Sequence, residues 1–460
     1  MISKPILPRY LAIIICLIVL SSLSTRKIFS PSQSQQTIAL VNGQWFTGKG
    51  FESRTGYSVN GRFTFKKPKQ IDQTIDLAGT WLVPPFGEAH NHNIDGVVEE
   101  RSKKAIERYM ADGVFYVKIQ GNYPLTDEQK NRLQINQLQG PDVAFAHSFF
   151  TVTGGHPMFM HENILLSQGY YPGFTKENLQ NKLYFTIESE KDLEDKWPQI
   201  LALHPDFIKT NLWCSDEFEK RKNDPAYLGR KALDPRLLPK IVAKAHANKL
   251  RVSVHITNAA DFHNALLAGV DEIAHSATTG LFKNIEERGS DPRVLGNSEL
   301  MVRLLLEATN SANKGNAAYI PISEEDAKLA AKQGTIVITT MGLISRSPEP
   351  VRIAAKSTMA AHIKLLSENG VNLVIGSDNV MDTSVKELEG LKWLGVFDNL
   401  TLLKMWAEDT PKSIFPDRKI GRLQEGYEAS FVALDGNPLE DLQNIRKIKH
   451  RFKQGVVLEK

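Results

Sequence analysis

The sequence predicts an α/β protein: a (β/α)8 TIM-like barrel accompanied by a small β-sandwich domain formed from both termini. Two observations carry that expectation. Between residues 81 and 376, eight short apolar stretches recur, and amphipathic helical runs separate several of them. Outside that span, at both ends of the chain, short alternating segments bounded by glycine turns return.

Taken in order, the chain opens with Lys4 and Arg9, an apolar run over 11–20, and Ser22-Leu23-Ser24. A positive segment, a short apolar segment and small residues at a cleavage point read as a secretory signal peptide over 1–24. The run is short for a membrane span. The expected location is therefore exported, periplasmic or secreted, with no stable membrane partner after cleavage. An uncleaved N-terminal anchor is the alternative. Cys16 lies inside the run, so Cys214 stands alone in the mature chain and forms no internal disulfide.

Segments 37–41 and 45–47 read as strand pieces before a Gly/Lys-rich turn. Segment 58–65 reads as a hairpin arm with Asn60-Gly61 at the turn, because that dipeptide tolerates positive φ at both central positions. Segments 74–77, 430–434 and 455–458 have the same character. Residues 37–83 and 418–460 are thus expected to form one composite β-sandwich domain around a barrel at 84–417. The eight barrel-strand candidates are 81–84, 114–118, 143–146, 207–210, 251–254, 272–274, 335–338 and 373–376, with helices read at 237–248 and 354–369. The mixed stretch 282–319 reads as an elaborated loop over the barrel mouth.

Composition excludes little but is informative about partners. The 460 residues carry 56 Lys and Arg against 52 Asp and Glu, a net charge of +4 with no long like-charge run, which gives no reason to expect a nucleic-acid partner. A small-molecule substrate is the expected partner, with a homo-oligomer left open. No P-loop and no G-x-S-x-G nucleophile elbow is present.

The chemistry-bearing residues fall at strand ends. His90 and His92 stand two apart after Pro84-Pro85-Phe86-Gly87-Glu88-Ala89. On a strand, residues i and i+2 face the same side, so two imidazoles can converge on one ion. His255 follows candidate 251–254, His275 follows 272–274, and Asp378 follows 373–376. In a (β/α)8 barrel the C-terminal strand ends hold the functional groups. Lys209 lies among apolar neighbours in candidate 207–210. A buried ammonium there is costly. It is explained either by an acidic partner or by carboxylation to a carbamate, an anionic oxygen ligand. His156, between Gly155 and Pro157, is read as a substrate contact. His246 is read as packing or capping, His147 as either, and His161, His204, His263, His362 and His450 as ordinary residues.

These motifs resemble the amidohydrolase superfamily, in its imidazolonepropionase-like and Xaa-Pro dipeptidase (prolidase)-like branches. The H-x-H, Lys209, His255, His275 and Ser377-Asp378 match its pattern in order, as do Thr151-Val-Thr-Gly-Gly-His156 and Ile420-Gly-Arg-Leu-Gln-Glu-Gly426. The resemblance implies two divalent ions, usually Zn2+. His90, His92 and Asp378 would bind one, His255 and His275 the other, and carboxylated Lys209 and a hydroxide would bridge them. It implies hydrolysis of a C–N bond, with Asp378 as proton shuttle. Three alternatives stay open: a mononuclear deaminase-type site, a lactone, ester or phosphotriester hydrolase, and an inactive exported binding protein. The sequence departs from the pattern at Glu88, where aspartate is usual, at Asn91 and Asn93, and at Ala429-Ser430-Phe431.

Overall fold

The computed structural model describes residues 36–276, 303, 322–341 and 348–458. The expected signal peptide at 1–24 and, apart from residue 303, the expected mouth loop at 282–319 lie outside the described residues.

Strands β1 (Ile38–Phe46), β2 (Phe51–Val59), β3 (Arg62–Thr64), β4 (Gln73–Asp76) and β5 (Trp81–Val83) come from the N-terminal part. Asn60 and Gly61, with φ of 50° and 70°, make the β2–β3 turn expected from their sequence. β1 is one strand where the sequence suggested two pieces. A register shift between Leu40 and Gly43, with Asn42 at φ 61°, absorbs the interruption.

The body contains parallel strands β6 (Phe86–Asn91), β7 (Val114–Ile119), β8 (Asp142–Phe145), β9 (Phe149–Thr151), β10 (Tyr184–Thr186), β11 (Phe207–Asn211), β12 (Arg251–His255), β13 (Glu272–Ala274), β14 (Ile336–Ile338) and β15 (Asn372–Val374). The C-terminal part adds β16 (Phe431–Leu434), β17 (Ile448–Lys453) and β18 (Val456–Leu458).

The terminal strands form a single sheet in the order β18-β17-β16-β5-β1-β2-β3, with β4 also on β1. Strands from opposite ends of the chain therefore share hydrogen bonds, as at Ala433 opposite Leu82. The sheet coils on itself: Phe63 of β3 and Phe431 of β16 lie several strands apart, yet their rings approach to 6.5 Å, both beside Trp45. Where the sequence led to a β-sandwich, the terminal strands are joined in one sheet.

One strand candidate is reassigned. Segment 81–83 belongs to the terminal sheet, paired with β1 and β16, and the first strand of the body is Phe86–Asn91. Pro84 and Pro85 explain the break, since two residues without N–H groups end the ladder between the two sheets. β9 and β10, three residues each, carried no periodic signal in the sequence.

In the body, β6-β7-β8 form one parallel sheet and β10-β9-β11-β12-β13-β14-β15 a second. β7, β8 and β11 are buried along their whole length, as parallel strands covered on both faces are. Backbone hydrogen bonds link the two sheets at both edges. Ala89 N–H donates to Ile375 O at 2.9 Å, Asp378 N–H to His90 O at 2.8 Å, and Asp206 N–H to Phe145 O at 2.8 Å.

The helices follow local rules. Helix Ala259–Ala268 starts from a capping box between Asn258 and Asp261 and stops at Gly269 with φ 74°. Helix Glu349–Glu368 begins earlier than the sequence suggested, because Pro350 lies in the first turn, where its missing N–H has no intrahelical role. It buries Val351, Ala355, Met359, His362, Ile363 and Leu366, one stripe at helical spacing.

A buried ion cluster joins the terminal sheet to the body. Lys453 of β17 donates to Asp142 of β8 at 2.8 Å, and Arg418 reaches the other oxygen of Asp142 at 2.8 Å. Lys453 also donates to the carbonyls of Gln137 and Gly140. Burial pushes the Asp142 carboxyl up, but the two cations outweigh it and hold the group below its ordinary value.

Asp142→Asn therefore leaves a buried ammonium without its counter-charge and should cost about 3–5 kcal/mol in chemical unfolding. Because the folded-state pKa is depressed, this contribution is complete above the ordinary carboxylate pKa of about 4. It is lost as pH falls through the lower folded-state value. The stability difference between the wild type and the Asp142→Asn variant should shrink in that acid range. An equal difference at pH 3 and pH 7 contradicts the assignment.

Candidate active site

His90 and His92 leave β6 on one side. His90 is 1% exposed, and the two Nε2 atoms lie 3.2 Å apart. Asp378 Oδ1 lies 3.7 Å from His90 Nε2 and 3.6 Å from His92 Nε2. Ligand atoms of the three residues fall within 4.8 Å of one another. The His275 ring centroid stands 4.8 Å from that of His90 and 4.4 Å from that of His255. His156 is 4.9 Å from His255 and 4.6 Å from Trp213, ring to ring. Lys209 of β11 is 5% exposed, and its Nζ has no hydrogen-bond partner. The five histidines, Lys209 and Asp378 all line one cavity of about 350 Å³.

Two imidazoles are oriented from behind. His92 Nδ1 lies 2.9 Å from the Gly121 carbonyl, which can only accept, so Nδ1 carries the proton and Nε2 presents a lone pair. His275 Nδ1 meets the Thr340 hydroxyl at 2.7 Å, which leaves Nε2 as the free ring nitrogen. Burial, then neighbouring cationic groups, hold His90, His255 and His275 well below the usual histidine value, so the rings are neutral, the form that binds metal. Burial lowers Lys209 to about 7, so much of it is neutral amine near neutral pH.

Glu88 ties the first strand of the body to the last. Its oxygens accept from Ser377 N at 2.7 Å, Ser377 Oγ at 2.6 Å and His90 N at 3.2 Å. Asn91 extends the link, donating to Ser377 Oγ at 3.1 Å and to the Asn379 carbonyl at 3.0 Å. Burial raises the Glu88 carboxyl to about 8 against these hydrogen bonds. Gly376 permits the close approach, because a Cβ there would stand 2.7 Å from His90 Cβ. The backbone then turns through the left-handed region at Asp378 (φ 46°), as it does at His275 (φ 78°) and Thr340 (φ 40°). Such conformations are uncommon for these residues and cluster at functional sites.

The structure brings together every site residue expected from the sequence. It adds one the sequence reading set aside: His161 lines the cavity, with Nδ1 2.5 Å from Tyr171 Oη and its ring stacked on Phe149. Its place depends on residues 157–184 folding back over the strand ends, which no local pattern announces. His246 bonds Asp271 at 2.8 Å and does not line the cavity. Burial lowers His156 to about 3, so it offers a neutral ring and no positive charge. Nearby Lys231 is directed elsewhere, donating to the Lys222 carbonyl.

Glu88→Ala strips the partners from two buried backbone N–H groups and a hydroxyl. It should lower stability by roughly 2–5 kcal/mol and reduce bound metal, whereas Glu88→Gln, which keeps an acceptor, should lose much less of both. Thermal unfolding with elemental analysis reads this out. An alanine variant matching wild type in both would refute the linking role.

Comparisons with known proteins agree with this geometry. The pattern defining the amidohydrolase family matches residues 216–458. Ochratoxinase of Aspergillus niger is 30% identical over 119 residues, which is 25% of this chain and 25% of that protein, so the match spans a quarter of the relative's length. The crystal structure of a Xaa-Pro dipeptidase with methionine in its active site superposes with a TM-score of 0.65 at 18% identity, covering 92% of this chain and 100% of that one. The crystal structure of A. niger ochratoxinase gives 0.66 at 16% identity, covering 92% and 96%. These structural likenesses bear on the fold. With more than half of its length matched by the family pattern and the histidine–aspartate cluster at its strand ends, the chain belongs to the amidohydrolase family.

Proposed function

We propose that the protein is a metal-dependent hydrolase that cleaves the C–N bond of a small amide or peptide-like substrate, with Asp378 as the proton shuttle. The observation that carries this reading is convergence: His90, His92, Lys209, His255, His275 and Asp378, from five strand ends far apart in sequence, line one cavity. The donor set fits divalent cations. It combines neutral imidazoles, a carboxylate and three buried nitrogens without hydrogen-bond partners, His90 Nδ1, Lys209 Nζ and His255 Nε2. His90, His92 and Asp378 would hold one Zn2+, and His255 and His275 a second. Lys209, carboxylated by carbon dioxide, would serve both.

When bound, such cations supply Lewis acidity and bring the pKa of water toward neutrality. The chain's own residues do the rest. Asp378 stands at the cavity wall, beside both Nε2 atoms of the H-x-H pair, where its carboxylate can accept the proton of the attacking water. It then returns that proton to the leaving nitrogen, as base and then acid. The Gly121 carbonyl keeps His92 in one tautomer, and His156 borders the substrate.

The architecture proposed around this site is a closed (β/α)8 barrel over 84–417 with a composite β-domain from 37–83 and 418–460. The hydrogen bonds joining β6 to the segment after β15, and β8 to the residue before β11, support closure. Export, with cleavage near Ser24, rests on the apolar run over 11–20.

Asp378→Asn keeps size and fold but cannot take a proton, so kcat should fall by roughly 10²–10⁴-fold. The substrate panel is Xaa-Pro dipeptides, N-acyl amino acids, cyclic amides, lactones and a phosphotriester. Full activity in Asp378→Asn overturns the mechanism, and turnover of lactones or phosphotriesters alone overturns the amide assignment.

Lys209→Ala should lose metal and activity together, read by elemental analysis beside kinetics, with short carboxylic acids restoring part of both. Undiminished metal content in the variant rejects the ligand role.

A further inference from the structure

The cavity has two unlike walls. One is the polar set of strand ends. The other is apolar: Tyr123 and Phe149 continue into Met160, Leu165, Tyr171 and Leu183. Except for Met160, these residues belong to or pack against one hydrophobic cluster that also includes Leu179 and Tyr184. Leu165 ends a π-helical turn, His161–Leu165, a form that recurs at functional sites.

The apolar wall is built in place. Arg101 donates to the Tyr170 carbonyl at 2.8 Å, and its guanidinium lies 3.7 Å from the Tyr170 ring centroid. The Tyr184 hydroxyl bonds Glu162, and His161 bonds Tyr171. These contacts tie the segment to the helix Glu99–Ala111 and to β10.

Charge is nearly absent from this side. Among the described residues lining the cavity, Lys209 is the only lysine, on the polar wall, and there is no arginine. Asp95, the one other carboxylate besides Asp378, is occupied by the Val97 and Val98 N–H groups and by Arg101. His161 is neutral, since burial lowers it to about 3. A charged substituent entering here would lose its hydration without a counter-charge. An apolar one would gain by leaving water.

We propose that this wall is the pocket for a bulky, uncharged apolar group, aromatic or branched aliphatic, carried beside the scissile amide. This rests on the amide-hydrolase reading and narrows it: substrates with a charged group at that position are excluded.

The test is binding measured by calorimetry to the metal-loaded Asp378→Asn protein, which leaves the apolar wall unchanged and slows turnover by the roughly 10²–10⁴-fold expected above. The probes are acetamide, 3-phenylpropionamide and succinamate, which carries a carboxylate where the phenyl ring would sit. The expected result is 3-phenylpropionamide binding roughly tenfold or more tighter than acetamide, with succinamate no tighter than acetamide. Leu165→Trp in the same background, checked for folding by its melting temperature, should bring the phenyl advantage back toward one. Failure of the phenyl compound to bind better than acetamide, or preference for succinamate, overturns the pocket assignment whether or not the Trp variant folds. The outcome is separable from the mechanism: full turnover by Asp378→Asn removes the proposed chemistry and leaves the binding preference standing.

Discussion

The link on which the site depends is the buried carboxyl of Glu88. It stands two residues before His90 and binds the backbone and hydroxyl of Ser377, 289 positions further along the chain. Through it, the strand bearing the H-x-H pair and the segment bearing Asp378 are held at one register. His90 and Asp378 side chains then meet at 3.7 Å. Burying a carboxyl is costly unless its oxygens are satisfied, and here three donors are supplied at close range. That cost and that satisfaction make the link specific, since a shift by one residue would orphan the carboxyl and turn both histidines to the other face.

The strained backbone around the site follows from the same demand. His275, Thr340 and Asp378 all lie at positive φ where strands end. A strand continued in extended geometry would carry these side chains onward along its own axis. The left-handed turn redirects them, and the ladder of parallel strands beneath supplies the rigidity that holds them there. The tautomer of His92 is set in the same way, by a carbonyl from the next strand's loop.

The terminal sheet anchors this body from below. Its strands come from both ends of the chain, and the Asp142–Lys453–Arg418 cluster joins it to β8. Buried ions of this kind add little net stability over apolar packing but are strongly unfavourable when broken, so they favour one docking of the two parts over others.

Much of this was legible in the sequence, and the reason is period and chemistry. H-x-H at strand spacing and His or Asp at the ends of strand candidates are local signals, and they named the histidine and aspartate candidates, while Lys209 stood out as a lysine inside an apolar strand. The Asn60-Gly61 turn and the helix near 238–247 were equally local. What the sequence did not decide was everything that depends on segments meeting. Segment 81–83 reads like any buried strand, and only its partners assign it to the terminal sheet. Residue types show that Glu88 departs from the usual aspartate, but not that its longer side chain reaches Ser377. His161 looked ordinary because a histidine's role depends on what surrounds it, and Tyr171, Phe149 and the cavity arrive from elsewhere in the chain. The sequence alone determined which groups are candidates for the chemistry, because residue type and strand periodicity are written locally. Tertiary structure decided where they meet and which side chains form the remaining cavity wall, because distance and burial are properties of the folded chain.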